Sequence, residues 1–220
     1  AYIIYTPKYL EMAQSSGIKK VGVSKLKSTL LRPALTSHYL CEFNTPNAVK
    51  SYLNEQQDSG LLKPDSELIS LSCSNASLPG SQLTTIKVNN DFHGSTETHG
   101  YRKFYDDTAD FEFYVDNEYR MINFFENWIS YITNDGSAND RRSPSYTYRV
   151  NYPKSYRSEI SITKFERDMD GRFLKYDFID AFPTSINSMP VSYDASQLLK
   201  CTVSFSFTRY VMSSGTYSDK

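Results

Sequence analysis

Hydrophobic positions recur with a helical period in one stretch, residues 115–133, VDNEYRMINFFENWISYIT. At about 100° per residue, Met121, Ile122, Phe124, Phe125, Trp128, Ile129, Tyr131 and Ile132 cover roughly half the circumference, opposite Asn123, Glu126, Asn127, Ser130 and Thr133. The pattern predicts an amphipathic helix whose core face is Met121, Phe125, Trp128, Ile129 and Ile132. Asp116 or Asn117 can cap its first amides, Glu118 suits the positive end of its dipole, and Asn134-Asp135-Gly136 supplies the stop. Each large apolar side chain buried contributes about 1.5–3 kcal/mol. The helix therefore calls for a sheet to lie against.

Elsewhere the periodicity is two, or absent. Strands are expected at 37–43, with Tyr39, Cys41 and Phe43 on one face, and at 108–115, where Ala109, Phe111, Phe113 and Val115 alternate with Asp110, Glu112 and Tyr114. Between them, residues 44–66 read as an insertion, with Thr45-Pro46-Asn47 opening a short helix over AVKSYLNEQQ. From Leu68 the chain reads as strand, a Pro79-Gly80 turn and a second strand from Leu83, together a hairpin, followed by a polar loop at 94–100. Further strands are expected at 146–152, 157–165 and 173–179. Residues 181–200 form a structured crossing with two prolines, and Cys201, Val203, Phe205 and Phe207 then alternate with Thr202, Ser204, Ser206 and Thr208. No repeat of 20–50 residues is visible, which excludes solenoids and propellers. The fold class is mainly β: an antiparallel β-barrel or sandwich with one flanking α-helix and an extended N-terminal arm. The organisation is an arm over 1–32, a domain over 33–212 carrying the insertion 44–66, and a tail over 213–220.

Composition changes this picture in two respects. Fifteen per cent aromatic residues, among them 18 Tyr, accompany a mean hydropathy of -0.52, so the chain is folded with a polar, Tyr-rich surface. Formal net charge is -1, yet residues 1–32 hold Lys8, Lys19, Lys20, Lys25, Lys27 and Arg32 against Glu11 alone, a net of +5 that leaves -6 for the remainder. A basic arm beside an acidic body suits docking on an acidic neighbour or another copy, with Lys19, Lys20, Lys25 and Lys27 as contacts; a solubilising tail is the alternative. No run of apolar residues approaches a membrane span, and the N-terminal residues lack the form of a signal peptide, so a soluble, non-secreted protein without a membrane anchor is expected. Cys41, Cys73 and Cys201 are widely spaced in strand-like runs, as expected for small buried hydrophobes in a reducing compartment.

No motif for catalysis, phosphate or metal binding is present, and no cofactor is expected. His93 and His99 lack a third ligand and read as surface histidines; His38 reads as structural. Asp106, Asp107, Asp110, Glu112 and Asp116 are the densest acidic cluster, but a glycosidase draws its acid and base from separate elements of a cleft, and a solvated strand face is the simpler reading. The hydroxyl face of Thr202, Ser204 and Ser206 suits polar packing, a wet lumen or plain solvation. An acidic body does not grip DNA; it repels phosphate and lets a duplex pass.

Three blocks carry a resemblance. AFPTSINSMPVSYDASQLLKCTVSFSFTRY, residues 181–210, resembles the C-terminal signature of the tail tube proteins of contractile-tailed bacteriophages: Phe182-Pro183-Thr184, then Tyr193-Asp194, then the alternating strand to Tyr210. FYDDTADFEFYVDNEYRMINFFENWISYI, residues 104–132, is similar to that family's acidic strand and single helix, with its late Trp, and CSNASLP, residues 73–79, is similar to its early strand and turn. The resemblance implies the fold shared with type VI secretion tube proteins and a structural, non-enzymatic role. It implies hexameric rings stacked into a hollow tube in the virion, enclosed by a sheath and joined to a baseplate, through which double-stranded DNA is ejected. Asn123 and Glu126 on the helix, with Thr202, Ser204 and Ser206 on the last strand, are then candidate assembly contacts. A tube-initiating baseplate ring of the same fold is the alternative, suggested by the long arm and insertion. A carbohydrate-binding β-module, suggested by the Tyr content and Trp128, is the rival from another class.

Overall fold

A computed structural model describes residues 31, 33–56, 66–90, 94–135, 149–166, 171–187, 189–194 and 197–216. The chain divides into two units, Ala1–Thr36 and Ser37–Lys220. In the first, only residues 31 and 33–36 are described, and they form no helix or strand. Apart from residue 31 the arm, with its five lysines, thus lies outside the described residues, as do His93 and residues 146–148.

The second unit holds nine strands and four helices among its described residues. In chain order these are β1 (Tyr39–Asn44), α1 (Asn47–Gln56), α2 (Ser66–Ser72), β2 (Cys73–Ala76), β3 (Ser81–Asn90), β4 (Ser95–Tyr105), β5 (Thr108–Tyr114) and α3 (Arg120–Thr133). There follow α4 (Pro153–Tyr156), β6 (Ser158–Lys164), β7 (Arg172–Ile186), β8 (Lys200–Ser206) and β9 (Arg209–Thr216). All pairings are antiparallel. Six strands run in the order β1-β6-β7-β8-β5-β2, β9 joins β7, and β3 with β4 forms a separate two-stranded ribbon.

The fifteen-residue β7 organises the sheet. Its first half lies between β6 and β9, and its second half pairs with β8. Ser158 faces Ala181 while Ile160 faces Phe178, so Ile179 and Asp180 together oppose Glu159, and Asp180 adopts φ 59°. This bulge bends the strand and lets it pass from one layer to the other. A second irregularity leaves Thr184 unpaired between Pro183 and Ser185, which accommodates a proline that donates no ladder hydrogen bond. Near the opposite end, Gly215 sits across from Phe173, whose ring would lie 2.7 Å from any added Cβ, so only glycine fits beneath it.

The layers face each other through aromatic side chains. The Phe43 ring of β1 lies 5.3 Å from Phe111, 5.6 Å from Phe113 and 5.9 Å from Phe205, which joins β1 to β5 and β8 across the core. On α3, Phe125 stacks 4.9 Å from Phe113 and Trp128 lies 6.1 Å from Phe205. The buried Trp128 keeps its Nε1–H satisfied by donating to the Tyr156 carbonyl at 3.1 Å. Since β1 and β2 end the strand path without pairing, the architecture is an open antiparallel barrel with α3 packed on β7 and β8.

Several expectations are corrected. The long helix starts at Arg120 rather than near 115, because Val115 is still tied to Leu199 by a backbone hydrogen bond of 3.0 Å and Tyr119 turns the chain at φ 55°. Asp116 nevertheless accepts from the Arg120 amide at 2.9 Å. At the other end Asn134 adopts φ 53°, and the amides of Asn134 and Asp135 reach back to the carbonyls of Tyr131 and Ser130, a Schellman-type closure. Residues 66–72 are helix and not strand: Leu68 and Ile69 face inward while Leu71 is exposed, a spacing helical rather than alternating. The Pro79-Gly80 hairpin does not form, since β2 pairs with β5 and β3 pairs with β4. The expected loop at 94–100 lies mainly within β4, and residues 149–152 are not strand. The crossing at 181–200 begins as the second half of β7, and β9 extends to Thr216, inside the segment expected as tail.

Candidate assembly surfaces

The ribbon is the part of the domain least explained by its own core. β3 and β4 pair from Ser81 with Tyr105 to Asn90 with Ser95, a length of about 30–35 Å at the usual strand rise. Thr84 faces Arg102 and Thr85 faces Gly100, leaving Tyr101 as a bulge that is 70 % exposed. Cross-strand pairing places Ile86, Val88 and Phe104 on one face, all exposed, and Leu83, 60 % exposed, on the other. Among the described residues neither strand pairs with anything but the other, so both outer edges keep free amides and carbonyls. The base is clamped: Asp106 Oδ2 accepts from the Gly80 amide at 2.6 Å, and the Asp106 amide donates to Gly80 at 3.3 Å. Tyr105 then meets Tyr210 of β9 edge-on at 5.2 Å, with the Lys103 ammonium over both rings. His99 lies on the ribbon 3.3 Å from Glu97, both exposed, and no cluster of potential metal ligands occurs among the described residues.

A second surface is the outer face of β5 and β8. Their register sets Thr108 beside Ser206, Asp110 beside Ser204 and Glu112 beside Thr202. Ser204 donates to Asp110 Oδ1 at 2.6 Å, Ser74 donates to Glu112 Oε2 at 3.2 Å, and Lys200 Nζ lies 3.3 Å from the same oxygen. Thr202, Ser204 and Ser206 are half-buried at this face, while their neighbours Cys201, Val203 and Phe205 are in the core. The acidic cluster is not gathered into one site: Asp106 clamps the ribbon, Asp116 binds Arg120, and Asp110 and Glu112 are held by hydroxyls and Lys200 on an open strand face.

The third surface is the outer side of α3. Asn123 and Glu126 are exposed, and Asn127 is half-buried, its side-chain amide donating to the Asn123 carbonyl at 2.7 Å. Ser130, placed by periodicity on this polar side, is buried instead. Residues 149–151 return against the helix end, with Arg149 and Asn151 donating to Thr133, Ile132 and Tyr131 carbonyls, and Tyr52 of α1 packs 5.3 Å from Tyr131. Met121, Phe125 and Trp128 are fully buried; Ile129 and Ile132 are half-buried. The strand expected from Leu83 is present as β3, whereas β4 and its pairing with β3 are not legible in the sequence, because neither strand buries a face. The residual signal was the pair Val88-Asn89-Asn90 and Tyr101 to Tyr105, β-forming residues around a polar centre.

The described residues thus form an open antiparallel barrel with one major helix and a separate two-stranded ribbon. Residues 34–213 match the model of the phage tail tube protein family, and the chain belongs to that family. A structural role as a tube component follows from this membership. No curated protein sequence matches the chain. Among solved structures it is similar to a chain of the sheath–tube complex of an extracellular contractile injection system (PVC) in the extended state, with TM-score 0.51, 11% identity, and 88% of this chain and 98% of that one covered. It is also similar to the tube-terminating cap of the anti-feeding prophage, with TM-score 0.50, 11% identity, and coverage of 93% and 100%. A crystal structure of an Hcp protein matches at TM-score 0.40 and 10% identity, over 82% of this chain and all of that one. At these identities the first two likenesses are of fold alone.

Proposed function

We propose that copies of this chain form rings, hexameric as the family resemblance implies, which stack into the tube of a contractile phage tail. The tube is assembled in the host cytoplasm, enclosed by sheath subunits and begun on a baseplate. Double-stranded DNA passes through it without sequence-specific binding. The observation that carries this reading is the ribbon. An isolated two-stranded ribbon is marginal in water, and exposed apolar side chains along free strand edges favour pairing with another chain. Neighbouring subunits or rings would supply that cover.

The repeating subunit is favoured over a baseplate initiator by the fate of the insertion. Its helix α1 buries Val49 and Leu53 in the domain's own core and packs on α3, so it is part of the fold and not spare surface for a foreign ring. A carbohydrate site on Trp128 is disfavoured by its burial and its used N–H. The basic arm is proposed to dock on the acidic body of a neighbouring copy through Lys19, Lys20, Lys25 and Lys27, as its +5 against -6 suggests.

Electron microscopy of the purified full chain tests the proposal: rings or tubes are expected, and a protein that stays monomeric at high concentration would overturn it. Removal of residues 1–32 should leave the circular dichroism spectrum unchanged and weaken assembly, most at low salt, where the charge attraction is least screened. Undiminished tube formation would exclude the docking role.

A further inference from the structure

The open seam of the barrel holds two thiols. β1 and β2 are the two ends of the strand path and do not pair, yet Cys41 in β1 and Cys73 at the start of β2 meet there with their sulfurs 3.7 Å apart. Beside them the Tyr39 hydroxyl donates to the Cys73 carbonyl at 3.2 Å, so both side chains of the seam converge on one point. Cys41 is buried and Cys73 only partly so. Cys201 is buried in β8 and is separated from Cys73 by β5, whose Phe113 is the register partner of both.

We propose that Cys41 and Cys73 are a built-in disulfide site that a low-molecular-weight disulfide, such as oxidised glutathione, converts into a covalent clasp across the barrel seam. The contact would need to shorten from 3.7 Å to about 2.05 Å. The hydrogen bond from the Cys41 thiol lowers the pKa of Cys73, whereas Cys41, bonded to Cys73 and buried, is pushed far up. Cys73 is thus the attacking sulfur. Its thiolate attacks one sulfur of oxidised glutathione, forming a mixed disulfide and releasing one glutathione thiolate. Cys41 then loses its proton and attacks the Cys73 sulfur, expelling the second glutathione. The two protein thiols are oxidised by two electrons, one glutathione disulfide is reduced to two thiols, and the two protons end on them. Cys201 is buried, and burial pushes its thiol up to about 11.

The clasp would close the loop from residue 41 to residue 73, which contains α1 and α2, and tie together the two sheet ends. It stands independently of the tube reading. The test treats reduced, full-length protein with oxidised glutathione and counts thiols in denaturant. A fall from three thiols to one is expected, with a mass lower by two hydrogens, a peptide linking Cys41 to Cys73, and a thermal midpoint raised by roughly 5–10 °C and restored by dithiothreitol. The Cys201→Ser variant should lose every free thiol under the same treatment. Three remaining thiols, a link that involves Cys201, or glutathione retained on Cys73 would each overturn the proposal.

Discussion

Strands β8 and β4 make an instructive pair. β8 alternates buried and half-buried residues without interruption, with Cys201, Val203 and Phe205 facing the aromatic core and Thr202, Ser204 and Ser206 facing outward. β4 is longer, is exposed along nearly its whole length, and carries Tyr101 and Phe104 among Thr, Glu, His and Lys. A one-residue slip in β8 would turn every core side chain to the wrong face, so its register is fixed by burial. In β4 a slip would bury nothing and expose nothing new. Its register depends on the hydrogen-bond ladder with β3, the Tyr101 bulge and the clamp between Gly80 and Asp106. One strand is specified by the inside of its own domain, and the other is left to be completed by whatever docks on it.

Changes at three places break or sharpen that contrast. Phe205→Ala should have the largest effect, since its ring touches Phe43, Phe111, Phe125 and Trp128. A loss of about 3–5 kcal/mol is expected in denaturant unfolding, from lost burial and the cavity left behind. The double change Ile86→Asp and Val88→Asp on the ribbon should alter unfolding by only about 0.5 kcal/mol per site while abolishing tubes in electron micrographs. Tubes that persist in this variant would show that the exposed ribbon face is not an assembly surface. The smallest effect is expected at Asn134, held at φ 53° at the end of α3. There Asn134→Ala should cost about 1 kcal/mol and Asn134→Gly should cost nothing or stabilise, measured by thermal unfolding.

The helix shows how far local pattern reaches. Met121, Phe125 and Trp128 are spaced to share a face, and they share one in the structure. Composition permits residues 115–119 in the helix; the hydrogen bond from Val115 to Leu199 and the left-handed Tyr119 keep them out. Ser130 is polar by type and buried, because α1 and residues 149–151 cover a side of α3 that periodicity alone assigns to solvent. The seam thiols belong to the same category. Read singly, Cys41 and Cys73 are small hydrophobes, and only the curling of the open sheet brings residues 32 apart in sequence to 3.7 Å.

By itself, the sequence determined the mainly β character, the principal helix and its Trp-bearing core face, the alternating strand β8, the acidic strand β5 and the family to which these blocks belong. Each of these rests on side chains that must be buried, and burial imposes a period of two or 3.6 that is written into the chain. The tertiary structure alone decided that residues 66–72 are helical, that β2 leaves the expected hairpin for β5, that β3 and β4 form a ribbon, and that β7 crosses from one layer to the other at Asp180. The reason is physical: strand pairing is a choice among partners distant in sequence, made by the joint packing of Phe43, Phe111, Phe113 and Phe205, and no local period records which partner wins.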